Sequence, residues 1–466
     1  MFNFSLINLG CTKNLVDSQY LIWKILTSNN PNDKVNFIPD PYSSQVEYVF
    51  LNTCGFLSSW RQEMMETLKS LLDAGKKIYL LWCAVQYFNL KSEKDRKVIG
   101  ENQKKSEHIF LDEYEKEKQY FEEFLKKNVW KVFLLSWDDL DYISVDKLKR
   151  WYFSKNFGDF TFPNSIRAYT NAYYGYEYLK IAEGCNNSCS FCIIPKIRWK
   201  QKSLPIEKIL QEAKNMVNNW VKEIIIISQD TTRYWIDLYK QPKLFDLLEQ
   251  LDELDWDFVY RILYLYPDIV SLKHLEKFKK LKKFLPYFDI PLQHINSNVL
   301  KLMWRFYNTS YIYDFLDFIK ENFPESFIRT NFIVWFPWET DEAFKELLDF
   351  IDKDYFDNIA LFEYHDEPLA KSSKLPNKVD DLVLKERFKI ISDKVDNLLD
   401  KKNEVRKKQL QIGYVQDILD TKIVVRPYLH CPEIDPVDEI DFKNVKWVYN
   451  QTGEIEIWDL IEYKIV

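Results

Sequence analysis

Three cysteines lie close together in one short stretch of the chain, Cys185, Cys189 and Cys192, with the spacing C-x3-C-x2-C. We call them the loop trio. Thiolates at this spacing can converge on one metal centre, but a structural zinc site is usually closed by four ligands. A ferredoxin-type iron–sulfur cluster also takes four cysteines. Three cysteines leave one position open, and a cluster with an open iron can bind a small molecule and pass it an electron.

Two other interpretations of the loop trio stay open. The cysteines could share a zinc ion with a fourth ligand elsewhere, or they could belong to a disulfide framework. The chain has 466 residues, seven Cys and five His, and its first residues do not predict a signal peptide. This cysteine usage favours metal-bound thiolates in a reducing cytoplasm over a secreted scaffold. No apolar run approaches the length of about 20 residues that predicts a membrane helix.

The first 90 residues alternate between predicted strands and helices, which indicates a parallel sheet. The predicted strands are Phe4–Leu9, Val46–Leu51 and Lys77–Leu81, and the helices are Leu15–Leu26 and residues 58–74. A cysteine follows each strand, and we call Cys11, Cys54 and Cys83 the N-terminal trio. Ligands gather beyond the carboxyl ends of parallel strands, so we predict a second cluster there. The alternative is three unrelated buried cysteines, which are common.

Residues 173–395 also alternate and predict roughly six βα units of a partial barrel. The predicted strands are Tyr178–Ala182, Val221–Ser228, Val259–Leu265, Phe288–Leu292, Ile328–Val334 and Asn358–Tyr364. The chemistry of such barrels lies at the carboxyl ends of the strands. The loop trio follows the first strand. Ser228 and Gln229 stand at the end of the second strand and are weaker candidates for ligand contacts, because they could equally form a turn.

The remaining segments differ in character from these two. Residues 91–130 are highly charged and predict a solvated helix, and residues 131–172 are expected to connect two domains.

From residue 400 onward, short strands predict a small antiparallel barrel: Ile412–Ile418, Thr421–Arg426, Asn444–Tyr449 and Glu454–Ile461. From Gln411 onward there are five Lys and Arg against eleven Asp and Glu, which gives 5 − 11 = −6 of the net charge of −7. That balance is not typical of a nucleic-acid binder.

Several motifs together support an assignment beyond the fold. Phe191 stands before the last cysteine of the loop trio, and Cys431 belongs to one of five further motifs: Gly10-Cys11-Thr12-Lys13-Asn14-Leu15-Val16-Asp17-Ser18, Asn52-Thr53-Cys54-Gly55-Phe56, Ser228-Gln229-Asp230-Thr231-Thr232, Asp289-Ile290-Pro291-Leu292-Gln293-His294 and Cys431-Pro432-Glu433-Ile434-Asp435. They resemble the radical S-adenosylmethionine (SAM) methylthiotransferases, within these the RimO type. The resemblance is weakest at residues 91–170. The family more often has alanine at Cys431, which we predict to be a small apolar filler.

The resemblance implies an α/β chain of three domains with SAM and two 4Fe–4S clusters as cofactors. A methylthiotransferase domain over residues 1–140 would hold an auxiliary cluster on the N-terminal trio. A radical-SAM barrel over 171–398 would hold the other on the loop trio, with Phe191 near the adenine of SAM. Ser228 and Gln229 are weaker candidates for SAM contacts, because they stand at the end of a barrel strand. A TRAM domain, the small antiparallel barrel, would span 399–466. One SAM would methylate a sulfur, and a second would yield a 5′-deoxyadenosyl radical that removes a substrate hydrogen.

For the RimO type, the implied substrate is the β-carbon of an aspartate in small-subunit ribosomal protein twelve, and an electron donor must reduce the cluster. The alternative is a MiaB-like enzyme acting on isopentenyl-adenosine in tRNA. A tRNA binder should neutralise phosphates with Lys and Arg, whereas the acidic C-terminal segment favours a basic ribosomal protein. We therefore expect residues 411–466 to help to bind that protein. A third hypothesis, from another class, is a cluster-bearing redox protein without SAM chemistry.

Glycine is scarce and tryptophan abundant, with 9 Gly and 15 Trp, whereas ordinary chains carry about 7% Gly. Six tryptophans stand where the family pattern or a helix end favours glycine: Trp82, Trp199, Trp220, Trp235, Trp335 and Trp338. We hypothesise that UGA codons, which would mean glycine in the source organism, have been translated as tryptophan. The alternative is general aromatic enrichment, because Phe and Tyr are also abundant.

Overall fold

The computed structural model describes residues 1–27, 34–89, 105–137, 140, 143–150, 162–163, 166–449 and 454–465. The chain divides into two compact units. The first unit comprises Met1–Thr170, Ala182–Leu204 and His365–Leu375, and the second comprises Asn171–Ile181, Pro205–Tyr364 and Pro376–Val466. Both cysteine trios therefore belong to the first unit. Among the described helices, none is both long enough and apolar enough to cross a membrane.

The first unit is built on a parallel sheet with the strand order β2-β1-β3-β4-β5. Its elements before residue 170 are β1 Phe2–Asn8, α1 Thr12–Leu26, β2 Val35–Phe37, β3 Tyr48–Thr53, α2 Ser58–Asp73, β4 Lys77–Trp82, α3 Cys83–Phe88, α4 Lys105–Lys127, β5 Val132–Leu135 and α5 Val145–Lys149. The predicted strands and helices of this half all form. The middle strand, β3, is buried at every position, so it shows a continuous apolar run rather than alternation.

The segment between the two alternating regions departs from prediction in one respect. Helix α4 forms within the charged tract, as expected, but Tyr114 and Phe121 bury their rings in the core. The predicted connection over residues 131–172 is wrong at its start, because β5 pairs in parallel with β4 as the last strand of the sheet. A run of four apolar residues carries too little periodicity to be recognised as a strand. Residues 90–104 lie outside the described part of the chain.

The second unit contains a six-stranded parallel sheet with the order β13-β12-β11-β10-β9-β6, and the predicted partial barrel is confirmed. From residue 171 to 407 the elements of both units are β6 Tyr176–Lys180, β7 Ala182–Glu183, α6 Ile194–Ile197, β8 Lys202–Ser203, α7 Ile206–Asn218, β9 Glu223–Ile227, α8 Ile236–Tyr239, α9 Leu244–Asp252, β10 Val259–Ile262, α10 Leu272–Phe278, β11 Phe284–Gln293, α11 Ser297–Leu302, α12 Thr309–Asn322, β12 Phe327–Val334, α13 Asp341–Ile351, β13 Asn358–Glu363 and α14 Asp381–Lys407. Of these, β7, α6 and β8 belong to the first unit.

The C-terminal strands form an antiparallel sheet with the order β16-β15-β14-β18-β17, curled into a half-barrel. They are β14 Gln411–Ile418, β15 Lys422–Pro427, β16 Asp438–Asp441, β17 Val445–Val448 and β18 Leu460–Tyr463. The predicted strand Glu454–Ile461 is wrong over most of its length. Among its described residues, a turn closed by a hydrogen bond from Asp459 N to Glu456 O, 3.2 Å, precedes β18.

A buried ion network joins this half-barrel to the barrel strands within the second unit. Glu223, at the start of β9, accepts from Arg261 Nε at 2.5 Å and from Arg426 Nη2 at 2.7 Å, and all three side chains are fully buried. Arg261 Nη1 also donates to Leu429 O at 2.6 Å. The Cys431–Asp435 motif lies beside this network, where Tyr178 donates to Glu433 Oε2 at 2.8 Å. The half-barrel therefore packs against the barrel strands near the amino-terminal end of β9.

Candidate metal centres

The N-terminal trio lies at the carboxyl ends of three adjacent strands. Cys11 precedes the first turn of α1, Cys54 follows β3 directly, and Cys83 begins α3 directly after β4. Because β1, β3 and β4 are neighbours and run parallel, their carboxyl ends share one edge of the sheet. A Cβ atom on Gly55 would lie only 2.5 Å from Cys83 O, so the missing side chain allows the loops of Cys54 and Cys83 to approach.

The side chain of Asn14 lies beside two of the three sulfurs of the N-terminal trio. Its Oδ1 lies 3.8 Å from Cys11 Sγ and 3.6 Å from Cys83 Sγ. Its Nδ2 donates to Asn52 Oδ1 at 3.0 Å and to Thr53 O at 2.9 Å, so these two residues at the end of β3 fix the orientation of the amide. Asn52 in turn donates to the backbone of Asn14 at 2.6 Å. A fully bonded buried polar network of this kind holds its members in one geometry.

Arg198 contributes a buried positive charge to the same place. Its Nη1 donates to Asn14 Oδ1 at 2.6 Å and lies 4.0 Å from Cys11 Sγ. Its Nη2 donates to Asp17 Oδ2 at 2.7 Å, and its Nε lies 2.8 Å from Glu183 Oε1. The side chains of Arg198, Asp17 and Glu183 are at most 4% exposed. The two carboxylates compensate the cation and fix its orientation.

The three thiols of the N-terminal trio differ in acidity. Burial raises the pKa of Cys83 to about 11, and burial together with Cys83 and Cys11 raises the pKa of Cys54 well above its ordinary value. Loss of hydration around the sulfur also acts to raise the pKa of Cys11. The charges of Lys13 and Arg198 and two backbone hydrogen bonds have the larger effect, so the pKa of Cys11 is lowered. Burial alone would lower the pKa of Arg198, whereas Glu183, Cys83 and Asp17 raise it, so the guanidinium stays charged.

The loop trio occupies a hairpin-bounded loop of the first unit. Strands β7 and β8 pair in antiparallel register and close the loop at its base. Within it, backbone N–H groups point at two of the sulfurs: Asn187 N lies 3.4 Å from Cys185 Sγ, and Ile194 N lies 3.4 Å from Cys192 Sγ. Phe191 is half-buried. Hydrogen bonds to sulfur are characteristic of iron–sulfur sites, where they tune the cluster.

The residues of both trios fit iron–sulfur clusters. All seven cysteines are described, and all are free thiols, which excludes the disulfide framework. Among the described residues, no three His, Cys, Asp or Glu side chains converge closely enough to hold a single metal ion. A cluster does not require such convergence, because each thiolate binds a different iron. The donor sets are three sulfurs with N–H donors in the loop, and three sulfurs beside a cation at the sheet edge.

Two of the predicted SAM contacts lie in the second unit. Ser228 and Gln229 follow the carboxyl end of β9, as predicted. Ser228 is buried, and its Oγ lies 3.5 Å from Thr231 Oγ1, which donates to Leu263 O at 2.6 Å. This turn-forming hydrogen bonding is the structural role that the sequence left open for Ser228.

Sequence reasoning did not identify the polar residues around the N-terminal trio. Asn14, Asp17 and Glu183 stand in or beside the quoted motifs, but only the cysteines received a role. Arg198 received no role either. It directly follows the end of the short helix α6, and no local pattern distinguishes it from a surface arginine, so its partners appear only in the folded structure.

Comparisons with known proteins agree with this geometry. The Radical SAM superfamily model matches residues 179–351, and the parallel partial barrel with its C-x3-C-x2-C loop defines a radical-SAM enzyme. Ribosomal protein uS12 methylthiotransferase RimO from Aquifex aeolicus (strain VF5) is 33% identical over 436 residues, 92% of this chain and 89% of its own. The same protein from Clostridium novyi (strain NT) is 32% identical over 100% of this chain and 97% of its own. The chain belongs to the RimO family of radical-SAM methylthiotransferases.

The resemblance inferred from the motifs is thereby confirmed, and the MiaB-like alternative is not favoured. Membership implies SAM and a 4Fe–4S cluster as cofactors. A solved structure of OxsB, a cobalamin-dependent SAM radical enzyme, also superposes on 86% of this chain and 56% of its own, with a TM-score of 0.48 and 13% sequence identity.

Proposed function

We propose that this chain attaches a methylthio group to the β-carbon of an aspartate in ribosomal protein uS12, using one 4Fe–4S cluster at each cysteine trio. The observation that carries the proposal is the second set of thiols, because a radical-SAM enzyme that only cleaves SAM needs no thiols besides the loop trio. Asn14 lies within 3.8 Å of two sulfurs of the N-terminal trio. Relatives named as uS12 methylthiotransferases match nearly the whole chain.

The proposed reaction replaces one C–H bond of the aspartate by a C–S bond. One SAM supplies the methyl group and leaves as S-adenosylhomocysteine. A second SAM accepts one electron from an electron donor through the loop-trio cluster and yields methionine and 5′-deoxyadenosine, which carries away the substrate hydrogen. The sulfur comes from a sulfide-type donor, and the bond between the carbon radical and the methylthiolate releases one electron, which a cluster held by the N-terminal trio would accept. We propose that Phe191, Ser228 and Gln229 contact SAM, and that the reaction takes place in the cytoplasm with the ribosome.

The described part of the C-terminal half-barrel is compatible with a basic protein partner. Exposed carboxylates lie along its surface at Asp417, Asp420, Glu439, Glu454 and Glu456. Other acids of the segment have partners within the second unit: the buried Asp435 accepts from Cys431 N at 2.8 Å, and Asp438 accepts from Arg406 at 2.6 Å. The exposed negative charge is therefore smaller than the count from the sequence, but it keeps the sign that attracts a ribosomal protein and repels phosphate.

Mass spectrometry of two candidate substrates tests the proposed function. The reconstituted enzyme, incubated with SAM and a reductant, should add the mass of one sulfur and one methylene to ribosomal protein uS12. The tryptic peptide that carries the change should place it on an aspartate. Isopentenyl-adenosine tRNA, incubated in parallel, should stay unmodified, and omission of SAM is the control. Modification of the tRNA alone would overturn the proposed substrate, and cluster reduction without 5′-deoxyadenosine would indicate the redox-protein hypothesis.

A further inference from the structure

The proposed function does not use the guanidinium of Arg198. It lies 4.0 Å from Cys11 Sγ and donates to Asn14, whose Oδ1 lies 3.8 Å from Cys11 Sγ and 3.6 Å from Cys83 Sγ. A single cation therefore lies beside two of the three candidate cluster ligands.

The position of this charge is fixed by groups on both sides. Asp17 on α1 and Glu183 on β7 accept hydrogen bonds from its Nη2 at 2.7 Å and 3.2 Å, and its Nε forms an ion pair with Glu183 at 2.8 Å. The ring of Trp137 lies 5.2 Å from its central carbon, a distance that suits a cation–π contact. An arginine side chain does not lose its proton in a protein. The site therefore holds a constant positive charge in a buried location, where electrostatic interactions are weakly screened.

We propose that Arg198 is a positioning residue whose fixed charge raises the reduction potential of a cluster bound by the N-terminal trio. The inference rests on the proposed function, because it requires a cluster there. A reduced cluster carries one more negative charge than an oxidised one, so a nearby cation stabilises the reduced form more. Net charge and hydrogen bonding around the sulfurs are the means by which proteins set cluster potentials. Asp17 and Glu183 act in the opposite direction, so the three residues together define the potential.

The test measures the N-terminal cluster alone, in the full chain with Cys185, Cys189 and Cys192 replaced by alanine. A redox titration followed by electron paramagnetic resonance gives its midpoint potential. We expect Arg198→Met to shift the midpoint to a more negative value, and Arg198→Lys to restore most of the potential. Asp17→Asn, which removes a compensating negative charge, should shift it in the positive direction.

Midpoint shifts of opposite sign in Arg198→Met and Asp17→Asn separate an electrostatic role from a structural one, because a loosened site would shift the midpoint potential of both variants in the same direction. An unchanged midpoint in Arg198→Met, or shifts of the same sign in Arg198→Met and Asp17→Asn, would overturn the inference. If Arg198→Met does not retain iron, Arg198→Gln, which removes the charge but keeps an N–H donor for Asn14, takes its place in the comparison with Asp17→Asn. If the parent itself binds no iron at the N-terminal trio, the proposed function fails rather than this inference.

Discussion

Replacing three exposed tryptophans by glycine, Trp220→Gly, Trp304→Gly and Trp338→Gly, should stabilise this chain by about 1–2 kcal/mol in sum. Each residue has a left-handed backbone, with φ of 68°, 61° and 72°, and each such non-glycine residue costs about 1 kcal/mol or more. Trp220 is 81% exposed, so its removal loses little buried surface, whereas Trp304 and Trp338 are 41% and 47% exposed and the apolar surface that they bury offsets part of the gain. Most substitutions destabilise a protein by about 1 kcal/mol, which makes a gain of this size distinctive.

The preference for left-handed backbone is specific to tryptophan. Of the 14 tryptophans that the structure describes, eight have a positive φ: Trp82, Trp199, Trp220, Trp235, Trp304, Trp335, Trp338 and Trp458. Among the described residues, only Tyr264 of the tyrosines and none of the phenylalanines does. General aromatic enrichment would distribute such conformations over all three residue types. The pattern therefore supports the hypothesis that glycine codons have been translated as tryptophan, and it includes all six positions chosen from the sequence.

Local hydrogen bonding shows the same substitution in detail. Helices α7 and α11 end in Schellman motifs with Trp220 and Trp304 at the left-handed position, as α2 ends at Gly75. At Trp304 the following residue, Arg305, donates to Leu300 O at 2.8 Å. Glycine is the usual residue at this position because it has no Cβ to clash with the backbone.

Two of the left-handed tryptophans are buried and add a separate cost. Among the described residues, Trp82 and Trp335 have buried indole Nε1 atoms without a hydrogen-bond partner, which costs about 1–3 kcal/mol for each such group. Trp335 N donates to Glu339. The family pattern has glycine at the position of Trp335. A chain with glycine at these positions would avoid both the strain and the unpaired donors.

Urea denaturation of the triple variant and the parent measures the predicted gain. Trp60→Gly is the matched control: Trp60 is 37% exposed but lies inside α2, where glycine should destabilise by about 1 kcal/mol. A triple variant no more stable than the parent would contradict the strain argument. Sequencing the gene tests the codon hypothesis independently, since UGG at the eight positions would refute it.

The sequence was sufficient for the fold and the cysteines because both depend on local patterns. Alternating strands and helices predict parallel sheets, and a cysteine after each of three strands predicts one shared edge. Contacts between distant residues were not predictable: Arg198 meets Asp17 only after residues 182–204 pack in the first unit. The six positions chosen from the sequence do not include Trp304 and Trp458, although Trp304 follows the end of α11, where glycine is favoured.

Separate loss of the two cysteine trios should divide the reaction into two measurable halves. Cys185→Ala should reduce both 5′-deoxyadenosine and the methylthio product to background, because SAM cleavage depends on the loop trio. Cys11→Ala should abolish only the methylthio product, because the loop trio and its N–H donors are untouched. Cys11 suits this test, since it keeps exposed surface and makes no side-chain capping bond to α1, so its truncation leaves the local fold in place.

Cys431→Ala is the matched control for both variants. Cys431 is fully buried in the second unit, outside both trios, and the family often has alanine there. Chromatography for 5′-deoxyadenosine and mass spectrometry of ribosomal protein uS12, run on the same samples, give the two readouts. Cys431→Ala should keep both products, which shows that loss of a buried thiol is not itself disabling. A methylthio product from Cys11→Ala would remove the N-terminal trio from the chemistry, because sulfur delivery would then not depend on all three of its thiolates.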